Sequence, residues 1–332
     1  MDLKITKSRL ANLLSYDWLK IIASVIAAIF FWSLIFTMTA TRCTDGESFY
    51  LVVYEGVRTA DATSNENYLA EMQDKGYFSY DVLEREVTEI TSTGQYSASY
   101  MLTLRLSTHE GDVFLSGGGN DLKKAQEAGE FSADNISQIQ SLVNQGVLQS
   151  LESLLEAAKD YCTRTFITEH EDGTYTVNGE AIADYFRTYR IKSARNYKKT
   201  YRTEAQIAEG IEKEIERIES VYLNYRFITE AIERTSGTED DFLWYAAPMY
   251  QETEDGEILF RDTKAYGIDL SRLKGGEKTV ESQWYLINEE GGVTTDGLVL
   301  SVFNYAEYQP DLQYEALSFI AYTLRTFGSY GD

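Results

Sequence analysis

Residues 112–120 read DVFLSGGGN. The apolar run Asp112–Leu115 is too short for a helix and is stopped by Ser116, Gly117, Gly118, Gly119 and Asn120, so it predicts a buried strand that ends in a tight loop. Working back from it, FYLVVY (Phe49–Tyr54) is rich in β-formers, and Asn67–Lys75 places Leu69 and Met72 at helical spacing before Gly76. A second strand is expected over Val82–Ile90. The stretch 97–108 (SASYMLTLRLST) alternates like a strand, yet Met101, Leu104 and Leu106 also suit a short helix. Strand, helix, strand, helix, strand is the rhythm of an α/β fold with parallel pairing. In such sheets ligands bind just beyond the C-terminal strand ends, and glycines there let backbone amides approach them. Ser116, Gly117, Gly118 and Asn120 are therefore candidate ligand contacts; the competing reading of the same loop is a plain turn.

The middle of the chain changes period. From Ile136 to Ala158 apolar residues step mostly by three and four, which predicts one amphipathic helix with Asp134 or Asn135 as N-cap. A turn at Glu169–Gly173, flanked by Thr165–Thr168 and Thr174–Val177, leads to a helix over Glu180–Ile191. A basic stretch follows (Lys192, Arg195, Lys198, Lys199, Arg202), read as a solvated salt-bridge patch rather than an anion site. A long helix is expected from Glu204 to Arg234, with Ile207, Ile211, Ile215, Ile218, Tyr222 and Tyr225 on one stripe and Glu209 four residues before Lys213. The last third returns to strands at Phe242–Ala247, Ile258–Arg261, Tyr266–Leu270, Gln283–Asn288 and Leu298–Asn304. A final helix over Asp311–Phe327 is capped by Asp311 and ended by Gly328.

Charge and hydropathy place the chain. It has 332 residues with 53 acidic and 30 basic side chains, a net charge of -23. Such acidity excludes phosphate-backbone binding by counterion release, hence nucleic-acid partners, while 43% apolar residues exclude global disorder. Residues 21–41 (IIASVIAAIFFWSLIFTMTAT) carry no formal charge and, at about 1.5 Å per residue, would reach roughly 31 Å, the thickness of a bilayer core. Lys4, Lys7, Arg9 and Lys20 precede this run, so the cation bias puts residues 1–20 in the cytoplasm and everything after Arg42 outside. A cleaved signal peptide competes, but Met38 is the wrong residue for an A-x-A site ending at Ala40 and the run is too long. Residues 43–332 then hold 25 basic and 51 acidic groups, a balance of -26. Cys43 and Cys162 are the only cysteines. A bridge would close a loop worth on the order of 4 kcal/mol, yet Cys43 would sit at the membrane surface, which favours two free thiols.

Catalytic patterns are thin. Ser271 and Lys274 form an S-x-x-K spacing without the S-D-N and K-T-G partners of acyl-enzyme chemistry. HExxH, P-loop and C-x-x-C patterns are missing, and His109 and His170 alone leave little room for a multi-histidine metal site or a histidine relay. The acidic loops lack the order of a calcium loop. No metal, cofactor or catalytic residue is expected. Aromatic rings with polar edges, Trp244 and Tyr266 among them, offer surfaces for sugars or peptides, with half-buried core as the plainer alternative.

The order of VVYEG (Val52–Gly56), YDVLEREV (Tyr80–Val87), LSTHEGDVFLSGG (Leu106–Gly118), AYGIDLSRL (Ala265–Leu273) and DLQYEALSFIAYTL (Asp311–Leu324) resembles the extracellular solute-binding proteins of bacterial ABC importers. It is similar to the membrane-anchored relatives of Gram-positive bacteria, with an anchor in place of a lipobox. The resemblance implies the two-lobed periplasmic-binding-protein fold: a first lobe over 48–125, a helix-rich second lobe over 126–257 and a return to the first lobe over 258–328. It also implies a non-enzymatic module that binds a neutral or cationic small solute such as a sugar, with a membrane permease as a further partner. In that expectation Glu55 meets a hydroxyl or amine, the 116–120 loop offers backbone donors, and Trp244 and Tyr266 stack on the solute. The alternatives are a ligand-less surface scaffold or assembly factor acting on a protein partner, and a cell-wall hydrolase.

Overall fold

Alternation along the central strands assigns them two buried faces. In β1 (Ser48–Tyr54) the side chains of Phe49, Leu51 and Val53 enter one core and Val52 the other. In β4 (Val113–Ser116) Val113 and Leu115 share the first core and Phe114 the second. A strand apolar on both faces must be covered on both, and helices do so here. The computed structural model describes residues 18, 20, 22–35, 47–121, 124–125, 137–193, 195–236, 243–253, 258–304 and 312–330.

The chain divides into two units, Met1–Arg42 and Cys43–Asp332. In the first, residues 22–35 are helical and every one of these side chains is exposed. Among the described residues no helix is long and apolar enough to cross a membrane. Ile21 and residues 36–41 of the expected span, like the cytoplasmic segment apart from Trp18 and Lys20, lie outside the described residues.

The second unit is a mixed α/β structure. β2 (Arg58–Thr59), α1 (Ser64–Asp74), β3 (Glu84–Ile90), α2 (Ala98–Thr108) and β4 follow β1. Ser97 settles the ambiguous stretch as a helix, because its hydroxyl accepts the Tyr100 amide as an N-cap. β1 pairs in parallel with β3 on one side and β4 on the other, as the strand–helix rhythm predicts. α3 (Gln138–Asn144), α4 (Leu151–Thr163), the β5–β6 hairpin (Ile167–Glu169, Tyr175–Val177), α5 (Gly179–Tyr185), a π-helical turn at Phe186–Arg190, α6 (Arg195–Thr200) and α7 (Glu204–Thr235) come next. β7 (Trp244–Glu252), β8 (Ile258–Asp269), β9 (Trp284–Ile287), β10 (Val293–Thr294), β11 (Val299–Val302) and α8 (Leu312–Phe327) complete the unit. The main sheet runs β3-β1-β4-β11-β8-β7, with β11 antiparallel to both β4 and β8. A smaller sheet runs β10-β9-β2.

One core joins the sheet to the helical middle of the chain. Phe49 and Leu51 pack with Tyr68 and Met72 of α1, Leu154 of α4, Ile218 and Tyr222 of α7, and Phe319 and Ile320 of α8. The opposite face is covered by Leu102 of α2 and by Ile139 and Leu142 of α3. Each fully buried side chain of this size stabilises by about 1.5–3 kcal/mol. The segment expected as a second lobe shares the core of the first, and the boundary expected at 257/258 falls inside the β7–β8 hairpin.

The single helix expected over 136–158 is two helices. Gly146 adopts φ +68, and the link is bound by β11 and the residues just after it: Gln149 donates to Val302 O at 2.9 Å, and Asn304 to Val147 O at 2.7 Å. Tertiary hydrogen bonds outweigh the helical spacing. The expected caps Asp134 and Asn135 lie outside the described residues; Ser137 caps α3 and Ser150 caps α4. The two strands expected over 258–270 are one, β8, twelve residues long. Cys162 is a free, buried thiol that donates to Ile218 O at 3.7 Å, and burial pushes it up to about 12; Cys43 lies outside the described residues.

Candidate functional site

Beyond the C-terminal end of β4 the chain forms one wall of a cavity of about 680 Å³. That wall is Gly118, Asn120, Asp121 and Lys124. The other is the β9–β10 hairpin and the turn after it, with Leu286, Asn288, Glu289, Glu290 and Asp296. The glycines are what allow the two walls to meet. The Gly119 amide donates to Gly297 O at 2.9 Å, and a Cβ on Gly119 would lie 2.6 Å from Val299 Cγ2. Beside this bond the Asn120 side-chain amide donates to Asp296 Oδ1. Gly119→Ala is expected to cost about 1–3 kcal/mol, as overpacking against a buried strand does; urea denaturation measures it.

The hairpin is held from both ends. At its base Trp284 is fully buried and its indole donates to Asn65 Oδ1 of α1 at 2.8 Å. At its tip Asn288 Oδ1 accepts the amides of Glu290 at 3.1 Å and Gly292 at 2.7 Å, an Asx turn that presents Glu289 and Glu290 to solvent. Among the described residues the cavity thus carries the carboxylates of Asp121, Glu289, Glu290 and Asp296 against one ammonium, Lys124, with Leu286 and Ile287 as its apolar side. Next to it the Tyr245 phenol is pushed up by burial and then by the charges of Asp121 and Asp269. Among the described residues no group of three or more His, Cys, Asp or Glu side chains is placed to hold a metal ion.

No family model, curated protein or solved structure matches this chain.

Of the seven residues expected at a ligand, the cavity brings together Gly118 and Asn120. Ser116 is the last residue of β4 and fully buried, its hydroxyl without a hydrogen-bond partner, and the Leu286 side chain lies over Gly117. Glu55 accepts the Ser92 amide at 3.1 Å and the Ser92 hydroxyl at 2.8 Å, closing the ends of β1 and β3. Tyr266 is 6% exposed and belongs to the second core. Trp244 opposes Ile268, which opposes Leu300, which opposes Leu115. Three strand spacings, roughly 14 Å, separate it from β4. The residues missed were those of the hairpin wall. Their one sequence signal was the Asn-Glu-Glu-Gly-Gly turn at Asn288–Gly292, which marks a hairpin tip but not what it faces. Ser271 of the S-x-x-K spacing gives its hydroxyl to Asp269 Oδ1 at 2.6 Å, a turn cap rather than a lysine-activated nucleophile.

Proposed function

We propose that this chain is a membrane-anchored, extracytoplasmic solute-binding protein that takes a neutral or cationic small solute, without catalysis, in the cavity beyond β4. The observation that carries the reading is the cavity itself: its volume suits a small solute, and it lies at the strand ends where open α/β sheets bind ligands. Its four carboxylates favour cations and polyols and repel anions. The likeness to importer-associated binding proteins is supported by the parallel β3-β1-β4 core and by the return of residues 265–269 to the same sheet. In this reading the helices of 137–235 take the place of a separate second lobe. Anchoring is supported by the wholly exposed apolar helix at 22–35, which includes Phe30, Phe31 and Trp32. Residues 21–41 span the membrane with the N-terminus inside, and a permease is a natural neighbour.

A thermal-shift series on the full-length chain tests the binding. Glucose, maltose, lysine, spermidine and a neutral tripeptide are the probes, with glucose 6-phosphate as the anionic control. At least one neutral or cationic probe is expected to give saturable stabilisation, about 2.7 kcal/mol at a hundred times its Kd, and the phosphate none. For a cationic probe, Glu290→Gln, an exposed change, is expected to weaken binding three- to tenfold with little effect on stability. Silence from every probe would sink the solute reading and leave the surface scaffold in its place.

A further inference from the structure

Apart from the residues that line that cavity, a cluster of charged side chains lies in the core. Asp81 follows α1, Arg190 ends the π-helical turn, Glu214 and Arg217 lie on α7, and Glu315 lies in the first turn of α8; all five are buried. Arg217 bonds Glu214 at 2.9 Å, Arg190 approaches Glu214 at 3.4 Å, and Arg190 also pairs with Asp81. Two guanidinium groups thus neutralise two of three carboxyl groups, and Glu315 has no cation of its own among these pairs. Instead, the Ser79 hydroxyl lies within hydrogen-bond reach of both Asp81 Oδ1 and Glu315 Oε1. A hydroxyl has one hydrogen to give, so it can serve both carboxyl groups only when one of them donates to it.

We propose that Ser79, Asp81 and Glu315 form a proton-operated latch that ties the loop after α1 to α8. In the closed state the protonated Glu315 donates to Ser79 Oγ, and Ser79 donates to Asp81. Release of that one proton to solvent leaves two carboxylates competing for a single hydroxyl hydrogen, and the loop parts from α8. A cleft of about 110 Å³ bordered by Ser79, Arg217 and Glu315 gives water access.

The surrounding charges fit this assignment. Burial, and then the Asp81 charge, raise the Glu315 carboxyl from 4.5 to about 7, against the lowering effects of Arg217 and of the hydrogen bonds from the Ser79 hydroxyl and amide. Burial opposes ionisation of Asp81 as well, but Arg217 and Arg190 hold it below the usual range, and the same pair does so for Glu214. Lys213 and Glu216 of α7 line the cleft, Tyr80 donates to Glu214 at 2.7 Å, and Tyr161 of α4 accepts from Arg217 at 2.6 Å. Tyr197 of α6 is pushed up by burial, then by Asp81, with Glu47 contributing, and the Asp112 carboxyl before β4 is pushed well above its ordinary range by burial, against the Tyr50 amide it accepts and with Glu315 adding to the rise. The closed state therefore keeps a proton that the open state loses above its ordinary pKa. The latch is secure below about pH 4.5 and loosens as pH rises through about 7.

Amide hydrogen exchange on the full-length chain, corrected for intrinsic rates, tests the proposal. Protection over residues 79–83 and 314–318 is expected to fall by up to about tenfold per pH unit between about pH 5 and 7, then level off. In Glu315→Gln the carboxamide donates to Ser79 at every pH, so the same segments are expected to stay protected. A wild-type profile flat with pH, or an identical slope in Glu315→Gln, would overturn the latch. Carbon-13 titration of the wild-type Glu315 carboxyl needs no variant: a midpoint near 7 supports the latch, and one below 5 overturns it.

Discussion

Arg217→Ala is expected to destabilise the protein by about 3–5 kcal/mol at pH 7, measured by urea denaturation. The guanidinium is almost wholly buried; its Nε lies 3.3 Å from both Glu214 oxygens, and its Nη2 lies 2.9 Å from Oε1 and 2.6 Å from the Tyr161 hydroxyl. Removing it leaves Glu214 inside the core with Arg190 at 3.4 Å as its one remaining cation among the described residues. Most of the loss is the cost of that under-compensated carboxylate rather than the worth of the pair. Arg217→Ala combined with Glu214→Gln should therefore recover part of it. Arg217→Lys is expected to fall between, because one ammonium cannot span Glu214 and Tyr161 together. A loss under about 1 kcal/mol would show that the network tolerates an open partner and that the neutrality argument is mistaken.

Trp284→Ala is the second large effect, about 3–5 kcal/mol by the same measurement. The ring is fully buried at the foot of the β9–β10 hairpin, edge-on to Tyr68 at 4.8 Å and to Phe327 at 5.6 Å. The substitution opens a cavity between α1 and α8 and strips Asn65 Oδ1 of the indole donor. Because β9 carries one wall of the cavity beyond β4, the same change should also weaken any binding proposed there, whereas Trp284→Phe keeps most of the packing and loses mainly the hydrogen bond. Trp284 and Arg217 share no partner among these contacts, so their effects should add to within about 0.5 kcal/mol.

Local pattern accounts for much of the fold. β1, β4, α1 and α7 lie close to where spacing placed them, because each is a run whose apolar period matches the face it buries. Pattern failed where a distant strand decided the outcome. The 136–158 run has mostly helical spacing, and its bonds to Val302 and Asn304, with Gly146 at positive φ and the Ser150 cap, divide it in two. It also failed for buried charge. Glu214 and Arg217 sit at helical spacing from Ile211, Ile218 and Val221, so they share the buried face of α7, yet a hydropathy reading places polar residues outside. The glycine loop after β4 was legible because glycine at a strand end signals a close backbone approach. What approaches was not: Asn120 meets Asp296, 176 residues later. Of the aromatic candidates Tyr266 fills the core, as a large ring on a strand more often does.

The central claim is that a solute sits between the glycine loop and the β9–β10 hairpin. Amide hydrogen exchange on the full-length chain, with and without a saturating probe from the thermal-shift series, tests it most directly. Added protection is expected over residues 118–121 and 286–290, with none around Trp244 or Glu55. Protection at Trp244 or Glu55 with no change at 118–121 would contradict it.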